Sequence, residues 1–402
     1  MTQTRDAMAA LTGTRAKKPR VLAYGPLPPP YGGQAISFAL LTEGLRATGE
    51  WDVRVVNVGV PDWQPRQLSF RRLWRTASTL LNALAEVPFA GVFYLTIGGS
   101  RAAFLRDAAL VWWAWLWRRP VVARVDGGAF HRLYLDGPGW FRLAMRRTLA
   151  RVTTLQALSA RIAQAFTAIP GIASRLEVLP DGAEEQPSIV PKHLPVEGPI
   201  RLLFLSQLAF DKGYADLMEA ARLLRERHPP LNLRLEFTGD FWADPRFFPS
   251  KASARRDFQD RIKRLGLEDV ATHHGLVTGA EKDRLLRECH LFVLPTYYSV
   301  EGTPRSIREA MSYAMPVVAT DWSGIPEMIT DGVEGYLVPP KRPDALAEAL
   351  ARAMSHRERY TALSERAYAR FQREFTVRAH VAAMGESFQR AIAKGRKSQA
   401  AG

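Results

Sequence analysis

One alternation is carried out twice along the chain, and it limits the fold more than any other feature. "RVLAYGPLPPPYGGQAISFALLTEGLRATGEWDVRVVNVG" reads as an apolar strand, a Pro/Gly-rich loop, an amphipathic helix and a second strand. "GVFYLTIGG", "PVVARVDGG" and "RVTTLQALS" continue as short strands separated by helix-length segments. Strands alternating with helices predict a parallel sheet covered on both faces. After about Pro180 the pattern gives way to "DGAEEQPSIVPKHLPVEGP", rich in proline and charge, and then restarts with "IRLLFLSQL", "LRLEFTGD", "LFVLPTYY", "PVVATD" and "GYLVPP". Helices are expected from Tyr214 to about Glu226, around 251–265, from Thr303, and through most of 343–394.

At 402 residues the chain exceeds one ordinary hydrophobic core. The expected class is therefore α/β, with two doubly wound Rossmann-like domains facing a central cleft, where such sheets bind ligands. The boundaries read as a disordered basic tail over 1–19, a first Rossmann-like domain over 20–182, a linker over 183–199 and a second over 200–355. Helices over 356–395 are expected to pack back across both domains, with a tail over 396–402.

Charge narrows the partners. The net charge is +15, and residues 1–200 carry 24 Lys/Arg against 14 Asp/Glu, a net +10. An anionic partner is expected on that half: nucleic acid, membrane phospholipid or a phosphorylated substrate. The single cysteine, Cys289, has no partner for an intrachain disulfide. "ALVWWAWLW" is shorter than the ~20 apolar residues that span a bilayer. With no signal-peptide pattern at the N-terminus, the expectation is a cytoplasmic protein, with peripheral attachment to the membrane left open.

"EGTPRSIREA" at 301–310 holds the sharpest chemical signal. Thr303-Pro304 reads as a helix start, the hydroxyl capping free amides. Glu301 then lies in a loop and Glu309 about a turn and a half inside the helix. Two carboxylates beside a helix N-terminus suit a ligand that carries both hydroxyls and a phosphate. As an isolated motif, Glu309 is equally a surface carboxylate paired with Arg305 four residues earlier.

"EGTPRSIREAMSYAMPVVATDWSGIPEMITDGVEGYLVPP" closely resembles the C-terminal signature of family 4 glycosyltransferases, including glutamates at the E-x7-E spacing. "LLFLSQLAFDKGYADLMEA" resembles the family's preceding basic loop, and "GPLPPPYGGQAISFAL" its N-terminal glycine loop. The resemblance, closest to members that assemble exopolysaccharide and lipid-linked glycans, implies a GT-B fold. It also implies metal-independent, retaining transfer of a hexose from a UDP- or GDP-linked donor, with no cofactor besides that substrate. Glu309 would hold the ribose hydroxyls, Glu301 a hydroxyl of the donor sugar, and the backbone at Gly302, Thr303 and Pro304 would face the β-phosphate. Lys212 would meet the leaving phosphate as a point charge. Gly32 and Gly33 would let amides approach the substrate, and Gly324 in "SGIP" would do the same at the donor.

Two positions depart from the family pattern. Gln207 stands where an arginine is common, with Arg305 and Arg308 as candidate replacements. Asp126 in "RVDGGAFHRLY" stands where exopolysaccharide-type relatives have a histidine by the reacting sugar; His131 is five residues too late to be equivalent. Asp126, Glu301 and Lys212 are the catalytic candidates. Neither a D-x-D motif nor a Cys/His cluster is present, so no metal is expected.

"RAAFLRDAALVWWAWLWRRP" joins arginines to Trp112, Trp113, Trp115 and Trp117. Core packing of a helix that feeds a buried strand explains it, with an anionic membrane interface as the alternative; Arg71, Arg72 and Arg75 lie in the same half. The expected acceptor is a glycan, free or linked to polyprenyl diphosphate. The alternatives are a GT-B sugar-nucleotide epimerase and a basic protein that binds nucleic acid or membrane without catalysis; no recognisable nucleic-acid docking module supports the latter.

Overall fold

A computed structural model describes residues 18–29, 31–59, 70–228 and 231–400. Residues 1–17 of the expected tail and the side chains of Arg71 and Arg72 lie outside what is described.

Two parallel six-stranded sheets make up the protein. The first has β1 (Arg20–Gly25), β2 (Asp52–Asn57), β3 (Val92–Thr96), β4 (Val121–Val125), β5 (Thr154–Ala157) and β6 (Leu176–Val178) in the order β2-β1-β3-β4-β5-β6. The second has β7 (Ile200–Leu205), β8 (Leu233–Thr238), β9 (Ala271–His273), β10 (Leu291–Leu294), β11 (Val317–Thr320) and β12 (Gly335–Val338) in the order β12-β11-β10-β7-β8-β9. Central strands such as β3, β4, β10 and β11 are buried along their whole length, which is why they read as largely apolar runs, broken in β4 by Arg124. Sequence direction reverses beside β1 in one sheet and β7 in the other, and a crevice opens past the strand ends at such switch points.

Each sheet has its own core. In the second, Leu202, Phe204, Phe237, Phe292 and Val318 pack with Leu217, Ile307 and Leu350 from the covering helices. The helix Arg357–Arg370 belongs to that core through Leu363 and Ala367 and does not cross to the first sheet. Of the two helices expected to pack back, the last, Val377–Ala400, crosses. It buries Met384, Phe388 and Ala391 against Val21, Tyr94 and Val122 and continues past the boundary expected at 395. Phe388 packs on Tyr94 and Trp51 at ring distances of 5.6 and 5.8 Å. Burying one such ring contributes about 1.5–3 kcal/mol, so this helix ties the two halves together.

Closer to the cleft, the carboxylate of Glu327 accepts from the free amides of Ala160 and Arg161, both at 2.6 Å. These amides open the helix Ala160–Phe166, where a negative charge meets the positive helix end.

The tryptophan-rich helix Arg101–Leu116 is not simply core. Trp115 and Trp117 are about half exposed and Trp112 lies on the surface, while Trp113 turns inward and donates to the Leu84 carbonyl. Only one side of the helix faces the sheet, and tryptophans in adjacent turns cannot share it.

Candidate functional site

The cleft is built from loops at the C-terminal ends of β1 and β4 on one side and of β7 and β10 on the other. Residues 206–213 leave β7 through a single turn that ends at Gly213 (φ +85°). A Cβ there would lie 2.1 Å from the Pro295 carbonyl oxygen, so only glycine brings this loop against the one after β10. That approach seats Lys212 Nζ 2.5 Å from Glu301 Oε2, which also accepts from the Thr296 hydroxyl at 3.1 Å. The ammonium stands 4.6 Å from the centre of the Tyr298 ring.

The next helix is Arg305–Ser312. It begins two residues later than expected, with Pro304 as its N-cap and no side-chain cap. Thr303 Oγ1 instead accepts from Arg308 Nη1 at 3.0 Å. Arg308 is fully buried and its guanidinium requires acceptors, so it takes the hydroxyl that would otherwise cap the helix. Glu309 Oε1 accepts from Arg305 Nε at 3.0 Å and from Lys282 Nζ at 3.1 Å. Both carboxylates of the E-x7-E pair are thus held by cations on the second sheet's side of the cleft.

Gly33 faces this helix, and a Cβ built on it would lie 4.0 Å from Arg305 Cβ. Gly32 has nothing within 4 Å. The glycine loop therefore borders open space opposite the helix start. Gly302 and Gly324 do not: a Cβ on Gly302 would meet the Asp126 carbonyl oxygen at 2.6 Å, and one on Gly324 would meet Thr303 Cγ2 at 2.7 Å. Their missing side chains make room for protein. Gln207, in the same loop as Lys212, is exposed.

On the first sheet's side, a cavity of about 790 Å³ opens past β3 and β4. Asp126, Gln34, Arg101, Phe130, Arg132 and Tyr298 line it, and His131 does not. Burial pushes the Asp126 carboxyl up to about 6, against the opposing pull of Arg124, whose Nε donates to it at 3.0 Å. Arg124 also binds Asp181. Burial pushes Asp181 up, but the guanidiniums of Arg124 and Arg308 outweigh it and hold this carboxylate well below the usual range. Asp181 Oδ2 lies 3.7 Å from Arg308 Nη2, and burial pulls that guanidinium down to about 10.

Sequence reasoning missed Lys282, Tyr298, Arg124 and Asp181. Lys282 is 27 residues from Glu309 and carries no local sign of the pairing. Arg124, by contrast, opens the very "RVDGG" stretch that flagged Asp126. Among the described residues no group of three or more His, Cys, Asp or Glu side chains is arranged to hold a metal ion.

Residues 185–370 match the family model described as "Glycosyl transferases group 1". The amylovoran biosynthesis glycosyltransferase AmsK of Erwinia amylovora is 32% identical over 158 residues, 38% of this chain and 36% of the relative. A D-inositol 3-phosphate glycosyltransferase of an Arthrobacter species is 33% identical over 141 residues, 35% of this chain and 31% of the relative. The chain thus matches about a third of the length of these curated relatives. The crystal structure of Anabaena Alr3699/HepE in complex with UDP covers 92% of this chain and 99% of its own, with a TM-score of 0.69 and 19% identity, which establishes a shared fold. A glycosyltransferase from Rickettsia africae reaches a TM-score of 0.72 over 94% of this chain and 99% of its own at 16% identity. The fold is GT-B.

Proposed function

We propose that this chain, whose residues 185–370 form a glycosyl transferases group 1 domain, transfers a hexose from a nucleotide-diphosphate sugar to a glycan acceptor in polysaccharide or glycoconjugate assembly. One observation carries the reading. Glu301 and Glu309, each paired with cations, stand in the loop and helix that follow β10, and the cavity of about 790 Å³ adjoins them, lined by Asp126 and Gln34 of the first domain and by Tyr298 of the loop that leads to Glu301. A donor and an acceptor each have a side of the cleft.

In this reading Glu309 gives up part of its hold on Arg305 and Lys282 to accept from the ribose hydroxyls, and the freed cations turn to the diphosphate. Lys212 and the open amides at the start of the helix Arg305–Ser312 stabilise negative charge as it develops on the leaving phosphate. Groups fixed in advance in a site that excludes water do this most effectively. No metal is required for that role in the proposal. Asp126 orients the acceptor hydroxyl. Retention of anomeric configuration is what the resemblance of residues 301–340 implies. An acceptor linked to polyprenyl diphosphate would set the enzyme at an anionic membrane surface and fits the basic first half of the chain.

Thermal unfolding with UDP, GDP and their hexose conjugates, with and without EDTA, tests the donor site. A ligand at ~100 times its dissociation constant stabilises by about 2.7 kcal/mol. One nucleotide series is expected to raise Tm whether or not EDTA is present, and to lose its effect in Glu309→Ala. No shift with any of them would refute the reading, and a shift abolished by EDTA would refute its metal-free form.

A further inference from the structure

A second large cavity, of about 780 Å³, lies at the end of the first sheet opposite the cleft, and no carboxylate lines it. Its walls include Arg118, Arg119, Arg151, Arg175, Lys394 and Trp115. Topology explains the cluster. Arg119 precedes β4, Arg151 precedes β5 and Arg175 precedes β6, and these three strands are neighbours in the sheet. Adjacent strands lie about 4.8 Å apart, so one arginine before each strand makes a row along the sheet's lower edge. Lys394 completes it from the returning helix Val377–Ala400.

Among the described residues no acidic group pairs with Arg119, Arg151, Arg175 or Lys394. Arg175 donates to the carbonyls of Val152 and Gly171, and Arg151 to that of Arg147. The Nε atoms of Arg119 and Arg151 are buried without a partner. Burial, then the nearby Arg147 charge, pulls the Arg151 pKa down, as expected of a cation lacking a counter-charge.

Beside the row stands exposed apolar surface. The Arg151 guanidinium lies 3.4 Å from the Trp112 ring centre and 4.7 Å from that of Trp115. Trp115 is 51% exposed, Leu116 62% and Trp117 47%. A soluble polyanion would use the arginines and leave these side chains in water. Phosphate headgroups above an acyl layer match both parts, cations to phosphate and indole rings to the interface. No helix among the described residues is long and apolar enough to cross a membrane.

We propose that this end of the first sheet docks on an anionic bilayer, with lipid phosphates entering the arginine-lined cavity and Trp115, Leu116 and Trp117 entering the headgroup–acyl boundary. The docking face is independent of donor chemistry. It does fix the height of the cleft: Pro120 lines this cavity and Asp126 the acceptor cavity, six residues apart along β4, or roughly 20 Å at ~3.3 Å per residue. On the lipid-linked acceptor reading, on which this consequence rests, the cleft meets outer sugars of the glycan and not the one next to the diphosphate.

Sedimentation of the full chain with vesicles tests the proposal, using phosphatidylcholine alone and phosphatidylcholine mixed with phosphatidylglycerol. Binding is expected only to the mixed vesicles and should weaken as salt rises. Each basic residue near such a surface is worth roughly a fivefold change in partition, so the triple variant Arg119→Gln/Arg175→Gln/Lys394→Gln should bind on the order of a hundredfold less tightly. Trp115→Ser/Leu116→Ser, at exposed positions, should weaken binding while leaving its salt dependence. Nucleotide-induced Tm shifts, read on the same samples, report folding and the donor site separately. Equal binding to neutral vesicles, no vesicle binding, or a triple variant that binds like wild type would overturn the proposal. So would stabilisation by inorganic phosphate, or RNA binding that the triple variant loses, in the absence of vesicle binding.

Discussion

Gly302→Ala offers a direct way to separate donor binding from alignment of the two halves. The added methyl would lie 2.6 Å from the Asp126 carbonyl oxygen and 2.7 Å from Leu158 Cδ1, both on the first domain. Carbon contacts settle at about 3.5–4.0 Å, so the seam must open by roughly 1 Å. One residue away, Gly128 N donates to the Glu301 carbonyl at 3.2 Å, and a further ångström puts that contact beyond a hydrogen bond. Overpacking costs about 1–3 kcal/mol. Each sheet has its own core, so parting the domains at this seam relieves the clash more cheaply than deforming either one. The proposed donor contacts at Lys212, Glu301 and Glu309 lie on one side and stay intact. A misplacement of ~1 Å between reacting groups costs on the order of a hundredfold in rate. We therefore expect kcat, followed as nucleoside diphosphate release during sugar transfer, to fall about a hundredfold, with nucleotide affinity by calorimetry changing less than tenfold. Gly128→Ala should behave alike, since its Cβ would meet the Glu301 carbonyl oxygen at 2.2 Å, and the double variant should be no worse than either alone. A normal kcat, or an affinity that falls in step with kcat, would refute the argument.

Gly33→Ala makes the opposite test: its Cβ would have no neighbour closer than 4.0 Å, so Tm should hold within a degree or two while substrate KM rises, and an unchanged KM would remove the glycine loop from the site. Lys212→Ala removes the charge proposed to stabilise the leaving phosphate and should lower kcat by roughly 10²–10³-fold, as for other preorganised donors; an effect on KM alone would assign Lys212 to ground-state binding. Asp126, protonated below about 6 and charged above, should give a transfer rate that rises with pH through about 6, a limb that Asp126→Asn abolishes at a lower rate. Stability runs the other way: the folded pKa lies above the ordinary 3.8, so the group's contribution is complete below that value and is lost as pH rises through about 6, which denaturant titrations of wild type and Asp126→Asn should resolve.

Sequence legibility followed the range over which each signal acts. Strands buried on both faces announce themselves as apolar runs, so β1, β4, β7 and β11 stand out, while β6 and β9, three residues each at sheet edges, are too short to show a period. The E-x7-E carboxylates could be placed near a helix start from local residues alone. The helix's true beginning at Arg305 could not, because it depends on what a buried arginine does with Thr303. Least legible is the cluster of Arg124, Asp181, Arg308 and His380, drawn from the end of β4, the segment after β6, the second domain's helix and the last helix of the chain. A buried network of this kind is costly to assemble, so it is weak evidence for stability and stronger evidence for a specified geometry. Arg308 sits beside Glu309 on the proposed donor helix, and Arg124 holds Asp126 in the acceptor cavity; both guanidiniums meet on Asp181. The two sides of the cleft therefore share one carboxylate, and a donor that shifts the helix Arg305–Ser312 acts on Asp126 through three ion pairs in series.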